Sequence, residues 1–372
     1  MHLYADLHIH SPYAMATSPS MTPEALLRAA GRKGLGALGT GDALHPGWRR
    51  AWTTFLENDE GIVVVPTAEV EDCHRIHHLI LMEDLDRCAD LALALSDHSR
   101  NIDTAGRPHV ALTGGAIAER VHDLGGMIGP AHAFTPWTGI YGHAGSVHDC
   151  YGAESIDFLE LGLSADTSYG SGIAELAAVP FISNSDAHSP APHRLGREFT
   201  GLDLRAPTAR EVLGAVGEGR ITMNAGFFPE EGKYNRTACS VCYRQYTREE
   251  AGMLGWRCPE DGRRIKKGVA DRAAELGGGV PGERPPYLHT IPLTEIIMQV
   301  LGVASPLTKR CSSLYDDFLA VFGSEITVLA AASAGEIREV HPAVGDAVDA
   351  LRNGRVTLHP GGGGRYGSFS FL

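Results

Sequence analysis

Cysteine, long apolar runs and positive charge are all scarce in this sequence. Its 372 residues include seven cysteines, and only Cys239 and Cys242 form a CxxC pair, which argues against a disulfide framework and favours a reducing compartment. No run of eighteen apolar residues occurs, and the opening MHLYADLHIH lacks the basic and apolar regions of a secretory signal. We therefore expect a cytoplasmic protein without disulfides.

The charge balance excludes a chain coated with nucleic-acid-binding surface. Lys and Arg number 32 against 45 Asp and Glu, giving a net charge of −13, and phosphate contacts need Lys and Arg. A local basic patch is compatible with this balance. With 43% hydrophobic and 21% charged residues, a chain of this length is expected to form two or three soluble globular domains.

Histidine is concentrated in the first half of the chain, where 15 of the 18 fall at or before His193. Short strand-like runs such as GIVVVPTAEV, HHLILM and GMIGPAH alternate there with helical stretches, and Thr22, Pro23 and Gly34 have the spacing of a helix N-cap, first position and stop. This alternation predicts an α/β fold. The number of units favours a closed, mostly parallel barrel over residues 1–228.

Potential metal ligands follow successive strands of this barrel. Residues two apart on a strand point to one face, so His8 and His10 share a face, as do Asp186 and His188. Each alone is as well explained as an ordinary polar residue. Together they predict a multinuclear site, because imidazole and carboxylate donors suit Zn²⁺, Mn²⁺ or Fe²⁺ and the set is too large for one ion. The candidates are His8, His10, Asp42, Glu69, His77, His78, His132, Asp186 and His188.

The motifs DLHIHS, TAEVE, HHLIL, GPAHAF and NSDAHS, in this order, resemble the metal-binding motifs of the polymerase and histidinol phosphatase (PHP) family. The resemblance implies a distorted (βα)7-type barrel that hydrolyses phosphoesters with two or three divalent ions, Zn, Mn, Mg or Fe. The ligands that it implies are His8, His10, Asp42, Glu69, His78, His132, Asp186 and His188, with Glu69, Asp186 and His188 as catalytic residues.

Three positions bear on how closely the chain follows that family. Asp42 stands where many relatives have His, and SPYAMATS contains no histidine where many relatives carry one, which bears on the third metal. His78 is favoured over His77 because it directly precedes an apolar run, although the doublet leaves this choice open.

Two arginines follow the last of these motifs, in HRLGREFT. Arg194 and Arg197 are candidates for holding a phosphate group. Ordinary ion pairing with Glu198 or Asp203 explains them equally well.

A second region, residues 229–280, carries a cysteine pattern. Cys239, Cys242, Cys258 and Asp261 have the spacing of a zinc ribbon whose fourth ligand is a carboxylate, which can bind Zn²⁺. A decayed finger that binds no metal is the alternative. Because so short a fold has little core, we expect structural zinc to hold it together.

This region is basic within an acidic chain. Residues 232–268 hold nine Lys or Arg against four acidic residues, with Tyr243, Tyr246 and Trp256 among them. Cations interleaved with aromatic rings suit a phosphate backbone and exposed bases, whereas a spacer with a solvated basic face is the alternative. The candidate contacts are Arg244, Arg257, Lys266 and Lys267.

Residues 281–372 contain amphipathic stretches that predict a small helical domain, followed by a glycine-rich ending that we expect to be a flexible tail. A barrel followed by CSVCYRQY…CPEDGRRIKKGVADR and RPPYLHTIPLTEII resembles the endonuclease Q family. That resemblance implies a DNA-repair endonuclease that hydrolyses the phosphodiester 5′ to uracil, hypoxanthine, xanthine or an abasic site. The alternatives are a histidinol-phosphate-type phosphatase and a non-catalytic DNA-binding protein.

Overall fold

The computed structural model describes residues 1–371, which form a barrel, a small cysteine-containing module and a C-terminal helical region. The strands of the barrel are β1 (His2–Asp6), β2 (Ala37–Gly39), β3 (Val63–Val65), β4 (Thr67–Glu71), β5 (His77–Leu81), β6 (Met127–Pro130), β7 (Leu159–Glu160), β8 (Phe181–Ile182), β9 (Phe199–Asp203) and β10 (Ile221–Gly226). Its helices are α1 (Pro23–Lys33), α2 (Pro46–Trp52), α3 (Leu85–Ser96), α4 (Gly114–Asp123), α5 (Ile140–His143), α6 (Val147–Tyr151), α7 (Thr167–Ser171) and α8 (Ala209–Gly217).

The remaining elements follow in chain order. The module contains β11 (Ala238–Cys239), α9 (Arg248–Met253), β12 (Ile265–Lys266) and, at its end, α10 (Val269–Leu276). The C-terminal region contains β13 (Tyr287–His289), α11 (Leu293–Leu301), α12 (Lys309–Phe322), α13 (Ala334–Val340), α14 (Pro342–Arg352), β14 (Val356–His359) and β15 (Ser368–Phe371). Within residues 1–371, no helix is both long and apolar enough to cross a lipid bilayer.

The strands close into a distorted barrel. Three sheets, β13-β10-β9-β1-β2-β3, β4-β5-β6 and β7-β8, continue one another. The Asp157 N–H donates to the Ile128 carbonyl at 2.9 Å and so joins β7 to β6. A parallel bridge between Ile9 and Ala187 connects the segment after β8 back to the segment after β1. The segments that follow several strands therefore meet at one mouth.

The expectation of a mostly parallel sheet was wrong. β1-β2, β2-β3 and β7-β8 pair in parallel, whereas β1-β9, β9-β10, β4-β5 and β5-β6 are antiparallel. The turn between β4 and β5 has no room for the crossover that parallel strands need. Strand β9 went unpredicted, because Gly201 interrupts its apolar pattern. GIVVVPTAEV, taken as one strand, is two, since Pro66 lacks the N–H that would continue the ladder.

The predicted helix boundaries agree with the structure. The Thr22 side chain accepts the Ala25 N–H, and Gly34 ends α1 with a φ of 97°, which a residue with a side chain rarely adopts. Removing such an N-cap costs about 1 kcal/mol. α1 thereby presents Lys33, in its last turn, toward the C-terminal region.

A buried ion pair fixes the C-terminal region on the barrel. Lys33 Nζ lies 2.9 Å from Glu325 Oε1, and both side chains are at most 3% exposed. Glu325 also accepts the Tyr315 hydroxyl and the Leu293 N–H, each at 2.9 Å. With these hydrogen bonds, the Lys33–Glu325 pair holds the C-terminal region in one position on the barrel. Removing either residue would leave the charge of the other buried without a partner.

The module has a small core. Its buried cluster comprises Cys239, Tyr246, Ala251, Cys258 and Ile265. Helix α10 packs instead on the barrel, because Val269 and Ala273 belong to the barrel's main apolar cluster. The module therefore rests on the barrel through α10.

The glycine-rich ending is not the flexible tail that we expected. β14 and β15 pair as an antiparallel hairpin, and the segment between them lies against the module. Arg236 N–H donates to the Gly361 carbonyl at 2.9 Å. A Cβ at Gly363 would lie 2.1 Å from the Cys239 carbonyl oxygen, so only glycine permits this approach.

Candidate metal centre and nucleic-acid interface

The barrel mouth brings most of the predicted donors together. His8, His10 and Glu69 form one group whose donor atoms lie within 4.8 Å of one another. Glu69, His77 and His132 form a second group, and His10, Asp186 and His188 a third. The three groups share members, so they make one continuous cluster.

Glu69 joins the first two groups through its two oxygens. Its Oε1 lies 2.7 Å from His77 Nδ1 and 3.0 Å from His132 Nε2. Its Oε2 lies 3.4 Å from His10 Nε2 and 3.8 Å from His8 Nε2. A carboxylate placed in this way between two sets of imidazoles has the arrangement of a bridging ligand.

Asp186 joins the first and third groups. Its Oδ1 lies 3.1 Å from His10 Nε2 and 3.8 Å from both His8 Nε2 and His188 Nδ1. His188 is about one third exposed, whereas His8 and His10 are buried. The third group therefore opens toward solvent. The segment SPYAMATS, residues 11–18, contributes no histidine to it.

The structure corrects the choice within the histidine doublet. His77 lies with Glu69, whereas the His78 side chain points to the opposite side of β5, where its Nδ1 contacts the Tyr151 hydroxyl at 2.6 Å. Because β5 runs antiparallel to β4, its first residue lies at the mouth, and the next residue faces the other way. The sequence favoured His78 because that residue directly precedes the apolar run, which does not show which face of the strand each histidine occupies.

Asp42 is not among the grouped donors. Its Oδ1 lies 3.1 Å from His10 Nδ1, and its Oδ2 accepts the Ser11 N–H at 2.6 Å and the Ser11 hydroxyl at 2.5 Å. Both oxygens are therefore engaged behind His10. Asp42 orients the His10 ring so that Nε2 faces the cluster, in place of the direct ligation that we expected.

Glu160, which sequence reasoning missed, performs the same task for His8. Its Oε2 lies 2.9 Å from His8 Nδ1 and accepts the His132 backbone N–H at 2.7 Å. Its Oε1 accepts the Asn184 side-chain amide at 2.8 Å. The signal in the sequence was a carboxylate at the end of the apolar run FLEL. In the structure Glu160 is 1% exposed, and a buried carboxylate is costly unless it is paired.

Site residues also adopt strained backbone conformations. φ is 48° at Asp42, 31° at His132 and 49° at Asp186, in the left-handed region that residues other than glycine rarely occupy. Such conformations cost about 1–3 kcal/mol each and persist where surrounding contacts impose them. The Glu160 contact to the His132 N–H is one such contact.

The electrostatics of the cluster favour positive charge. Burial would lower the pKa of His10, but the carboxylates of Asp42 and Asp186 outweigh it and raise the pKa to about 10. Burial would raise the pKa of Glu69, yet the imidazoles of His77 and His132 hold it well below its usual value. The proton on His10 stands where a bound cation would place its charge, since metal binding displaces ligand protons.

An unsatisfied atom also fits a metal. His8 Nε2 is a buried side-chain atom without a hydrogen-bond partner, and it lies in the first donor group. An unpaired buried nitrogen costs about 1–3 kcal/mol, which coordination would remove. The types of donor residue, the charges around them and the unpaired imidazole nitrogen therefore all fit binding of divalent cations.

A cavity of about 720 Å³ opens beside the cluster. Asp186, His132, Arg107, Arg194 and Arg197 all line it. Within residues 1–371, neither Arg194 nor Arg197 forms an ion pair with Glu198 or Asp203, so the structure does not support ordinary ion pairing as their role. The cavity thus combines metal donors with cations that can hold phosphate.

Arg107 is a second residue that sequence reasoning missed. Its Nη1 donates to Glu69 Oε2 at 3.1 Å, which places a guanidinium between the cavity and the bridging carboxylate. It lies in a loop without a motif, so no sequence signal marked it.

The four predicted zinc ligands of the module also meet. Cys239, Cys242, Cys258 and Asp261 place one donor atom each within 4.8 Å of one another. Cys242 and Cys258 sulfurs lie 3.6 Å apart, close to the separation of about 3.7 Å that tetrahedral Zn–S bonds of about 2.3 Å require. Cys239 Sγ lies 3.3 Å from Asp261 Oδ2. The residues fit a zinc ion.

The four residues of the module that we predict to contact DNA differ in whether their side chains already have a partner within the protein. Arg244 pairs with Glu260 at 2.6 Å, and Lys267 pairs with Glu275 at 2.8 Å. Arg257 donates to a backbone carbonyl within its own loop. Lys266 has no carboxylate partner among residues 1–371, and its Nζ lies 4.5 Å from the centre of the Trp137 ring.

Lys266 belongs to a surface between the module and the barrel, here called the aromatic wall. It comprises Lys233, Lys266, Trp137, Tyr234 and Tyr366. Lys233 Nζ lies 5.5 Å from the Tyr234 ring and 5.6 Å from the Tyr366 ring. Trp137, Tyr234 and Tyr366 also line the cavity beside the metal donors. Exposed rings next to unpaired cations are the surface that stacks bases and attracts phosphate.

Comparison with known proteins decides the family. The crystal structure of the lesion-specific endonuclease PfuEndoQ from Pyrococcus furiosus matches 100% of this chain and 96% of its own, with 43% identity and a TM-score of 0.96. The chain belongs to the endonuclease Q family. A second endonuclease Q structure, in complex with a 27-mer duplex substrate with an abasic lesion at the active site, matches with 42% identity and a TM-score of 0.94, covering 100% of this chain and 97% of that one.

Curated relatives extend the endonuclease Q comparison. The protein YqxK of Bacillus subtilis is 31% identical over 98% of both chains. The protein MJ0043 of Methanocaldococcus jannaschii is 42% identical over 248 residues, which is 64% of this chain and 31% of that protein. The model of the MJ0043 C-terminal domain matches residues 292–355, within the predicted helical domain. The predicted α/β fold with a cysteine module and a helical C-terminal region is confirmed.

Proposed function

We propose that this chain is a metal-dependent endonuclease that hydrolyses DNA at lesions. The observation that carries the proposal is the bridging position of Glu69 between two donor groups, at the edge of a cavity that also holds three arginines. The similarity to endonuclease Q structures over the whole chain, one with an abasic-lesion duplex, supports DNA as the substrate.

Divalent cations, when bound, would stabilise charge on the phosphate oxygens and lower the pKa of a water molecule. The residues that would hold them are His8, His10, Glu69, His77, His132, Asp186 and His188. Asp42 and Glu160 keep the His10 and His8 rings oriented. Glu69, Asp186 and His188 would act as the catalytic residues, and the bound ions would be two or three of Zn, Mn, Mg or Fe.

The arginines hold the scissile phosphate. Arg194 is exposed at the cavity, and Arg197 is held by a bond from its Nε to the Ser185 carbonyl at 2.9 Å, which leaves its Nη atoms for substrate. Both adjoin Asp186. They therefore place a phosphodiester next to the third donor group, where a guanidinium makes charge-assisted bonds.

The aromatic wall receives the nucleotide next to that phosphate. Trp137 is about half exposed and lines the same cavity as His132, so a base unstacked from the duplex can reach the wall while its phosphate stays at the metal donors. Stacking on an aromatic ring contributes about 1–3 kcal/mol per base. Damaged or mispaired bases unstack at least cost, which favours them as targets.

The zinc-bound module positions duplex DNA through Arg244, Arg257, Lys266 and Lys267. The targets are uracil, hypoxanthine, xanthine and abasic sites, cut on the 5′ side to leave 3′-hydroxyl and 5′-phosphate ends. None of the seven cysteines, all within residues 1–371, forms a disulfide bond, as suits work in the reducing cytoplasm.

Labelled duplexes test the proposal. The purified chain with Mg²⁺ or Mn²⁺ is expected to nick duplexes that carry uracil, hypoxanthine, xanthine or an abasic site on the 5′ side of the lesion and to leave the undamaged duplex intact. Histidinol phosphate in parallel reactions tests for a small-molecule phosphatase. Phosphate release from that ester without nicking, or tight DNA binding without either reaction, would overturn the proposal.

A further inference from the structure

A third group of potential metal ligands lies outside both sites described above. Asp72, His78 and Cys150 place a carboxylate oxygen, an imidazole nitrogen and a thiol sulfur within 4.8 Å of one another. They come from the turn after β4, from β5 and from α6. His78 points away from the barrel mouth, so this group lies on the opposite side of β5 from His77.

Two atoms of the group face each other without a partner. His78 Nε2 and Asp72 Oδ2 are buried and have no hydrogen-bond partner, although they lie only 3.4 Å apart. Two ligands on a tetrahedral Zn²⁺, with bonds of about 2.0–2.1 Å, are separated by about 3.3 Å. The observed spacing therefore fits two ligands of one ion better than a hydrogen bond, whose usual length is about 2.7–3.2 Å.

The other atoms of these side chains are held in place. Asp72 Oδ1 accepts the N–H groups of His74 and Ile76, each at 2.8 Å, so Oδ2 is turned into the group. The Tyr151 hydroxyl lies 2.6 Å from His78 Nδ1. A hydrogen bond to the second ring nitrogen is the usual support of a metal-binding histidine, because it fixes the orientation of the ring.

Gly114 leaves the space in which the group sits. A Cβ at this position would lie 2.7 Å from Cys150 Sγ and 2.8 Å from His78 Cε1, too close for either to remain in place. The backbone of α4 thus approaches the thiol and the ring only because residue 114 has no side chain.

The group contains a buried carboxylate whose charged neighbour is the His78 imidazole. Asp72 is buried and has no Lys or Arg partner among residues 1–371. The Cys150 thiol is also buried, and binding a cation would release its proton. A Zn²⁺ with one carboxylate, one thiolate and a neutral imidazole forms a neutral unit, with the thiol proton released to solvent.

We propose that Asp72, His78 and Cys150 bind a structural Zn²⁺ ion that ties the β4–β5 hairpin to α6. With three protein ligands, the fourth tetrahedral position is taken by water. The competing arrangement is a metal-free chain of hydrogen bonds from Tyr151 through His78 to Asp72.

Zinc content of the full-length protein distinguishes the two. Cys150→Ser is expected to lose one equivalent of zinc relative to wild type. Cys88→Ser, which alters another buried thiol outside every donor group, is expected to lose none. Cys239→Ser is expected to lose a different equivalent, so that the double variant with Cys150→Ser lacks two. Equal zinc in Cys150→Ser and wild type would overturn the proposal.

Crystals of the wild-type protein provide a measurement that needs no variant to fold. Diffraction data collected above and below the zinc absorption edge are expected to show an anomalous peak among Asp72 Oδ2, His78 Nε2 and Cys150 Sγ. Data that show the module's zinc peak and none at this position would overturn the proposal. Neither measurement depends on DNA cleavage, so a failure here is distinct from a failure of the proposed nuclease.

Discussion

The barrel mouth and the cysteine module hold their donors by different means. In the barrel, Glu160 and Asp42 fix His8 and His10, and the donors lie on strands or in the segments directly after them, between buried apolar clusters. In the module, Cys242 and Asp261 are exposed, and the core comprises five buried residues. The barrel site is therefore pre-organised by the fold, whereas we expect the module to depend on a bound ion for stability.

This difference predicts different consequences of metal loss. Removing a barrel donor is expected to reduce chemistry and leave the fold in place, because neighbouring carboxylates still orient the remaining ligands. Removing a module donor is expected to unfold the module and weaken binding, because zinc affinity in small domains is largely folding free energy. Four measurements test this contrast.

The largest effect is expected for Asp186→Asn. The amide loses the negative charge beside His10 and His8, so cation binding and transition-state stabilisation fall by several kcal/mol, about 10³-fold in cleavage rate. DNA affinity and melting temperature are expected to stay within about twofold and a few degrees of wild type. Asp203→Asn, on the exposed end of β9, is the control; unchanged cleavage in Asp186→Asn would refute the metal assignment.

Substitutions of the two histidines in the doublet are expected to affect different properties, catalysis for His77 and stability for His78. His77→Gln removes a donor beside Glu69 and should lower the cleavage rate about 100-fold with little change in unfolding free energy. His78→Gln leaves the barrel donors in place but disturbs the buried contacts to Tyr151 and Asp72, lowering the unfolding free energy by about 1–3 kcal/mol.

Chemical denaturation and single-turnover cleavage by the folded fraction check both halves of this prediction. Loss of cleavage in His78→Gln with full activity in His77→Gln would reverse the assignment of the doublet.

Cys239→Ser is expected to act on binding. The variant should lose one equivalent of zinc, and the affinity for a lesion duplex should fall about tenfold, a change of about 1.4 kcal/mol, because the basic surface loses its support. Cleavage at saturating DNA should persist, since the barrel donors are untouched. Wild-type affinity after zinc loss would show that the module is only a spacer.

The smallest effect is expected for Lys266→Met. Removing one cation above Trp137 should weaken DNA binding about threefold and reduce the slope of log affinity against log salt by about 0.9. Titrations at several salt concentrations measure this slope. Lys309→Met, at an exposed position at the start of α12, is the matched control, and an equal change there would mean that the aromatic wall has no special role.

Much of this arrangement follows from local patterns. The two-residue spacing paired His8 with His10 and Asp186 with His188, and cysteine spacing identified the module, because both depend on neighbours along the chain. Helix caps at Thr22 and Gly34 are equally local. The two failures have different causes: Gly201 interrupts the apolar pattern of β9, and Pro66 divides a continuous apolar run into β3 and β4.

The amino-acid sequence by itself determined the α/β class, the donor types and the location of the basic module, since residue type and short spacing carry that information. Only the tertiary structure decided that His77 faces the cluster, that Asp42 and Glu160 support it, and that Arg107 enters the cavity. The reason is physical: strand register sets which residue of a doublet points inward, and whether a carboxylate binds a metal or orients a ligand depends on atoms far away in sequence.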